Sequence, residues 1–146
     1  FTAGVACDPN ARDVARELKT LRKKIEAGAD FCLTQPVFEP KIAREFLKRY
    51  ADEFGKLELP MLAGVLPLAS SRHAEFLHNE VPGITLTDEI RERMRRAGDN
   101  GRAEGLKIAS ELWSELLEFA QGVYIMPSFG RYDTVAELLE QVKARA

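Results

Sequence analysis

Three apolar runs in this chain stop at a proline, and that recurrence limits the possible folds more than any other feature. Phe31-Cys32-Leu33 breaks off at Thr34-Gln35-Pro36, inside the segment DFCLTQPVFEP at 30–40. The runs at 62–68 (LAGVLPL) and 123–131 (VYIMPSFGR) behave the same way. Short apolar runs bounded by turn residues read as strands buried in a parallel sheet. A fourth run, FTAGVA at 1–6, leads into the turn chemistry of Asp8-Pro9-Asn10.

Helical periodicity fills the spaces between the runs. Val14, Leu18, Leu21 and Ile25 line one face of a helix expected over 11–27, with Gly28 at its C-terminal stop. Pro40 suits the first turn of a second helix, striped by Ile42, Phe46, Leu47, Tyr50 and Phe54 and ended by Gly55. Ser70 and Ser71 are candidate N-caps for a short helix reaching about His78, and Val81-Pro82-Gly83 is a turn. Thr87, followed by Asp88 and Glu89, opens a helix that stops near Gly98. The longest helix is expected over 102–121, closed by Gly122. Thr134 and Glu137 are spaced as a capping box that starts the last helix.

Strand followed by helix, four times over, with extra helices before the last strand, predicts an α/β fold of about four parallel strands with covering helices. A doubly wound sheet and the C-terminal half of a (β/α)8 TIM barrel both fit this order. A full barrel takes about 250 residues and eight strands, and this chain has 146 residues. Either architecture binds ligands at the carboxyl ends of its strands. The candidates there are Asp8, Gln35, the loop after Leu66-Pro67, and Ser128-Phe129-Gly130-Arg131.

Composition closes off several function classes. A hydrophobic share of 45%, a charged share of 30% and a net charge of -2 describe a soluble globular chain without an electrostatic case for nucleic acid or a membrane surface. No apolar run approaches the roughly 20 residues needed to span a bilayer. Cys7 and Cys32 sit in apolar runs and read as small buried hydrophobes in a reducing compartment, the cytoplasm. Two histidines and two cysteines are too few for a metal site. No GxGxxG loop, P-loop, HExxH, CxxC or GxSxG elbow is present. Because the chain opens at Phe1 directly in a strand-like run, it is read as a piece of a longer protein.

The candidate side chains each read two ways. The Gln35 amide offers one acceptor and two donors to a heterocycle edge, or bonds a neighbouring loop. Arg131 clamps a carboxylate or phosphate, or forms a surface ion pair. Phe129 stacks on a planar ligand, or caps its own loop. His73 donates to a ligand or switches charge, or is a plain surface residue, and His78 is the weaker of the two histidines. Arg22-Lys23-Lys24 holds phosphates, or is a solvated helix face.

The runs KKIEAGADFCLTQPVF, AGVLPLASSRHAEFLHNEVPGI and GVYIMPSFGRY, in that order, resemble the methylenetetrahydrofolate reductase family. The likeness is nearest to the bacterial form fused to a homocysteine S-methyltransferase domain, and it covers the whole chain. It implies the C-terminal half of a (β/α)8 barrel, strands five to eight, with 1–146 as one partial barrel domain. It also implies a ping-pong hydride transfer. NAD(P)H reduces bound FAD, and methylenetetrahydrofolate leaves as methyltetrahydrofolate, in one-carbon metabolism that feeds methionine biosynthesis. By position, Gln35, His73, Leu77, Phe129 and Arg131 fall on folate- and nicotinamide-contacting places; His73, Leu77 and Phe129 depart from the residues usual there. Glu17, Thr20, Lys23 and Lys24 fall on the helix that holds the flavin's ribose, phosphates and adenine. The family's catalytic glutamate belongs to the first strand and its flavin-side aspartate to the fourth, so this piece alone is expected to be inactive. The expected partners are the N-terminal half of the same barrel, a folate substrate and further copies of the chain in a homo-oligomer. Two other functions stay open: a non-catalytic half-barrel that binds ligands or assembles, and a folate-dependent methyltransferase barrel.

Overall fold

A computed structural model describes residues 1–145, with the side chains of 1–144. Its strands are β1 (Gly4–Cys7), β2 (Phe31–Pro36), β3 (Met61–Val65) and β4 (Gly122–Ile125). Its helices are α1 (Val14–Glu26), α2 (Pro40–Phe54), α3 (Ser71–Glu80), α4 (Asp88–Ala97), α5 (Gly101–Leu116) and α6 (Tyr132–Arg145). All strand pairs are parallel, in the order β1-β2-β3-β4. Parallel crossovers are right-handed, so an order that never reverses puts every covering helix on one face of the sheet. A doubly wound sheet reverses its order midway. The fold is therefore an α/β sheet of four parallel strands with covering helices, arranged as half a barrel.

Local signals fix the element ends. The Asp13 carboxylate caps α1 by accepting the Arg16 N–H at 3.0 Å. Gly28 follows the helix in left-handed backbone, with Ala29 N–H bonded to the Lys24 carbonyl and Gly28 N–H to Ile25. Ser70 caps α3 and Thr87 caps α4. Pro40 opens α2 and Gly55 ends it. The stripe residues Leu18, Leu21, Phe46 and Tyr50 are buried against the sheet row Cys7, Cys32, Met61, Ala63 and Val65.

Two helix ends differ from the sequence reading. α5 stops at Leu116, and Gly122 begins β4 instead of closing the helix. The intervening residues turn so that Gln121 N–H meets the Met61 carbonyl at 3.1 Å and Gln121 Oε1 accepts the Met61 N–H at 2.8 Å. α6 starts at Tyr132, so Thr134 and Glu137 form no capping box. Both instead meet Arg102 of α5: Nε donates to Thr134 Oγ1 at 3.3 Å and Nη2 to Glu137 at 3.0 Å. A cation on a neighbouring helix claimed the residues that local spacing assigned to a cap.

α5 lies unusually close to the chain leaving β3. A Cβ built on Gly105 would stand 1.9 Å from the Leu68 carbonyl oxygen, and one on Gly101 would stand 3.2 Å from the Ser70 Cα. Backbone cannot yield as a side-chain tip can, so this crossing requires glycine. Gly105→Ala is expected to cost about 3 kcal/mol, the upper range for overpacking, and Gly101→Ala about 1. Urea unfolding of the two variants measures both.

Candidate functional site

The carboxyl end of β2 is irregular, and the irregularity aims Gln35. Leu33 pairs with Leu62 and Pro36 with Gly64, so three steps along β2 match two along β3. The surplus residue makes a bulge, which bends a strand and re-aims its side chains. Thr34 repairs the broken ladder with its side chain. Its buried hydroxyl accepts the Gly64 N–H at 2.9 Å and donates to the Gln35 carbonyl at 2.7 Å. The Tyr124 hydroxyl of β4 donates to the Thr34 carbonyl. Pairing resumes where Val37 N–H meets the Gly64 carbonyl at 3.0 Å. Gln35 is left exposed at the end of the strand.

Asp8 stands beside it, one residue past β1. Burial raises its carboxyl above the ordinary aspartate value; the Asn10 N–H opposes that and the Glu17 charge adds to it.

A second group forms at the ends of β3 and β4. The Ser70 hydroxyl accepts the His73 N–H at 3.1 Å, and His73 Nδ1 accepts the Ala69 N–H at 3.2 Å. With Nδ1 an acceptor, the neutral ring carries its proton on Nε2. Burial lowers the His73 pKa, so it is not a plain surface histidine. The Phe129 ring lies 4.8 Å from it, tilted by 53°. Phe129 has φ 55° and ψ 29°, a left-handed conformation that is strained for a residue with a bulky side chain. Next to it, Ser128 Oγ donates to the Pro67 carbonyl at 2.6 Å and ties the end of β4 to that of β3. Ser70, Arg72, His73, Phe76 and Phe129 line a hollow of about 360 Å³.

The structure thus brings Asp8 near Gln35, and His73 against Phe129. Leu77 sits one turn after His73 but is buried in the core and does not line the hollow. Arg131 is exposed just after Phe129, its N–H bonded to the Ser128 carbonyl at 3.1 Å. Sequence reasoning missed Arg72 and Phe76. Phe76 carried a usable signal, since it is an exposed aromatic out of step with the inward residues Ala74 and Leu77.

On α1 the basic run divides. Arg22 pairs with Glu26 at 2.8 Å, Lys24 Nζ donates to the Ala6 carbonyl at 2.6 Å, and Lys23 is exposed. Glu17 Oε1 accepts the Asp8 N–H at 3.0 Å, and Thr20 Oγ1 donates to the Arg16 carbonyl at 2.8 Å. Hydrogen bonding to Cys32 and burial both raise the Cys7 thiol, in keeping with a core role.

A family model described as methylenetetrahydrofolate reductase matches residues 2–142. A solved structure of similar fold is an uncharacterized protein from Clostridium thermocellum, described as binding two copies of 5-methyl-5,6,7,8-tetrahydrofolic acid. It is 19% identical with a TM-score of 0.76; the alignment covers 100% of this chain and 55% of that one. This chain therefore spans little more than half the length of that relative.

Two outcomes follow from the geometry. Thr34→Val strands the Gly64 N–H and the Gln35 carbonyl and is expected to cost about 2 kcal/mol in urea unfolding, with Thr34→Ser close to the parent. His73 has a folded-state pKa below its unfolded one. Its contribution to stability is full above about pH 6.5 and is lost as pH falls through the folded value. A denaturation series across that window should show stability falling with acid, and His73→Gln should flatten the fall.

Proposed function

The chain belongs to the methylenetetrahydrofolate reductase family, and from that premise we propose that it is the C-terminal half of a reductase barrel, strands five to eight, acting as part of a longer chain. In this reading the protein reduces 5,10-methylenetetrahydrofolate to 5-methyltetrahydrofolate with FAD and NAD(P)H. The observation that carries it is the bulge in β2, which holds an exposed Gln35 at the strand end, where a barrel binds its ligands.

Gln35 reads the edge of the folate pterin and, in turn, the nicotinamide. His73 and Phe129 form an aromatic wall for the rest of the folate, and Arg131 meets its carboxylates. Leu77 backs His73 from the core. A flavin held beside these residues would supply the hydride transfer between the nicotinamide and the folate. The residues on α1 fit the polar half of that cofactor. Lys23 is an exposed ammonium, Thr20 carries a hydroxyl, Lys24 is a second cation beside it, and the Glu17 carboxylate suits a ribose. The remaining chemistry needs acids from the first half of the barrel, the expected partner, and the whole assembles as a homo-oligomer. No helix among the described residues is long and apolar enough to cross a membrane, and two buried thiols support a cytoplasmic setting.

A second reading, a folate-binding or folate-dependent methyltransferase barrel without reductase chemistry, draws on the Clostridium thermocellum protein, whose description is of binding alone.

The full-length protein decides between them. The reductase reading expects a yellow protein that oxidises NAD(P)H with menadione as acceptor. Gln35→Ala is expected to weaken 5-methyltetrahydrofolate binding about tenfold in calorimetry. A colourless protein that binds folate but does not oxidise NAD(P)H sinks the reductase and leaves the binding barrel.

A further inference from the structure

The loop between α3 and α4 reaches back over the first two strands. A Cβ built on Gly83 would stand 3.0 Å from Asp8 Oδ2 and 3.8 Å from Gln35 Cγ. One glycine therefore touches the strand-end residues of both β1 and β2. The loop is firmly placed. Leu86 N–H donates to His78 Nδ1 at 3.2 Å, Ile84 N–H to the Val81 carbonyl at 3.2 Å, and Ile84 and Leu86 are buried. Gly83 has φ +81°, so a side chain there would be strained as well as crowded against the carboxylate.

Asp8 is equally fixed. Oδ1 accepts the Asn10 N–H at 2.9 Å in an Asx turn, and the backbone N–H is held by Glu17. With Oδ1 engaged in the turn, Oδ2 faces the glycine, beside Gln35. The glycine at position 83 sets no side chain against that oxygen.

We propose that Asp8 is a ligand-binding residue of this site, its Oδ2 accepting from an N–H of the same planar nitrogen heterocycle whose edge the Gln35 amide reads. An acceptor-only carboxylate beside an amide with one acceptor and two donors complements a ring edge where N–H stands next to C=O. The pteridine of a reduced folate and the isoalloxazine of a flavin both carry such an edge. The assignment deepens the reductase reading and rests on it. The charged side chain facing Asp8 is Glu17 of α1; Gln35 of β2 and Gly83 of the loop are neutral. Because burial raises the carboxyl's pKa, its acceptor capacity fails at a higher pH than that of an ordinary aspartate.

The test uses the full-length protein and Asp8→Asn, which keeps an Oδ1 for the Asn10 turn but turns the second oxygen into a donor. Each is titrated with 5-methyltetrahydrofolate and, after flavin removal, with FAD. The expected result is a loss of about tenfold or more in one arm, with an unchanged unfolding midpoint. The arm that loses identifies the ring. Parent affinity in that arm should fall with acid, beginning at a higher pH than titration of an ordinary aspartate would give, and the variant's should not. That profile on the parent alone tests the proposal if the variant fails to fold. A parent that binds with a flat profile, or a folded variant within about twofold in both arms, overturns the role of Asp8 and leaves the reductase reading standing. A parent that binds neither compound overturns both.

Discussion

The Thr34 hydroxyl is the interaction on which the site depends. A bulge leaves a backbone donor on the neighbouring strand without its ladder partner, and burying that donor unpaired costs about 1–3 kcal/mol. Thr34 answers the Gly64 N–H of β3, returns its own proton to the Gln35 carbonyl, and offers its backbone carbonyl to Tyr124 of β4. One residue thus joins three strands at the point where Gln35 leaves the regular pleat. Its burial explains why the tie holds, since water cannot compete for the hydroxyl.

The two groups of site residues rest on different supports. Asp8 and Gln35 are fixed by the sheet, through strand ends and the bulge. His73 is fixed by the helix layer, since α5 presses glycine against Leu68 and so sets where the Ser70 cap begins α3. Ser128 joins the supports through Pro67, and Phe129 next to it holds a strained backbone. Strain of this kind persists only where surrounding contacts over-determine it. Here those contacts are the Ser128 bond on one side and the His73 ring on the other.

Much of this was legible in the sequence because its determinants are local. Apolar runs and helical stripes gave four strands and their helices, and Ser70, Thr87, Gly28 and Gly55 marked ends that the backbone respects. Gln35 was legible as a strand-end amide. What escaped was set by residues distant in sequence. Arg102 drew Thr134 and Glu137 away from a capping role, across more than thirty positions. The bulge is invisible in FCLTQP alone, because it is a mismatch of register against β3. The approach of Gly83 to Asp8 joins residues on unrelated elements that no spacing rule connects.

Burial moves Asp8 and His73 in opposite directions on the pH scale. It raises Asp8 and lowers His73, favouring the neutral form of each. The permanent cations, Arg72, Arg131 and Lys23, are instead exposed. Such a layout suits a ligand with a flat, uncharged, hydrogen-bonding ring and charged ends. In the proposed reading the half-buried Asp8 and the exposed Gln35 amide sort the ring by the direction of donors and acceptors, and the ends are met by cations that retain their hydration. The steep selectivity would then lie with the ring-edge partners, because a ring edge that mismatches them leaves polar groups unpaired, whereas an exposed cation forgives a misplaced charge.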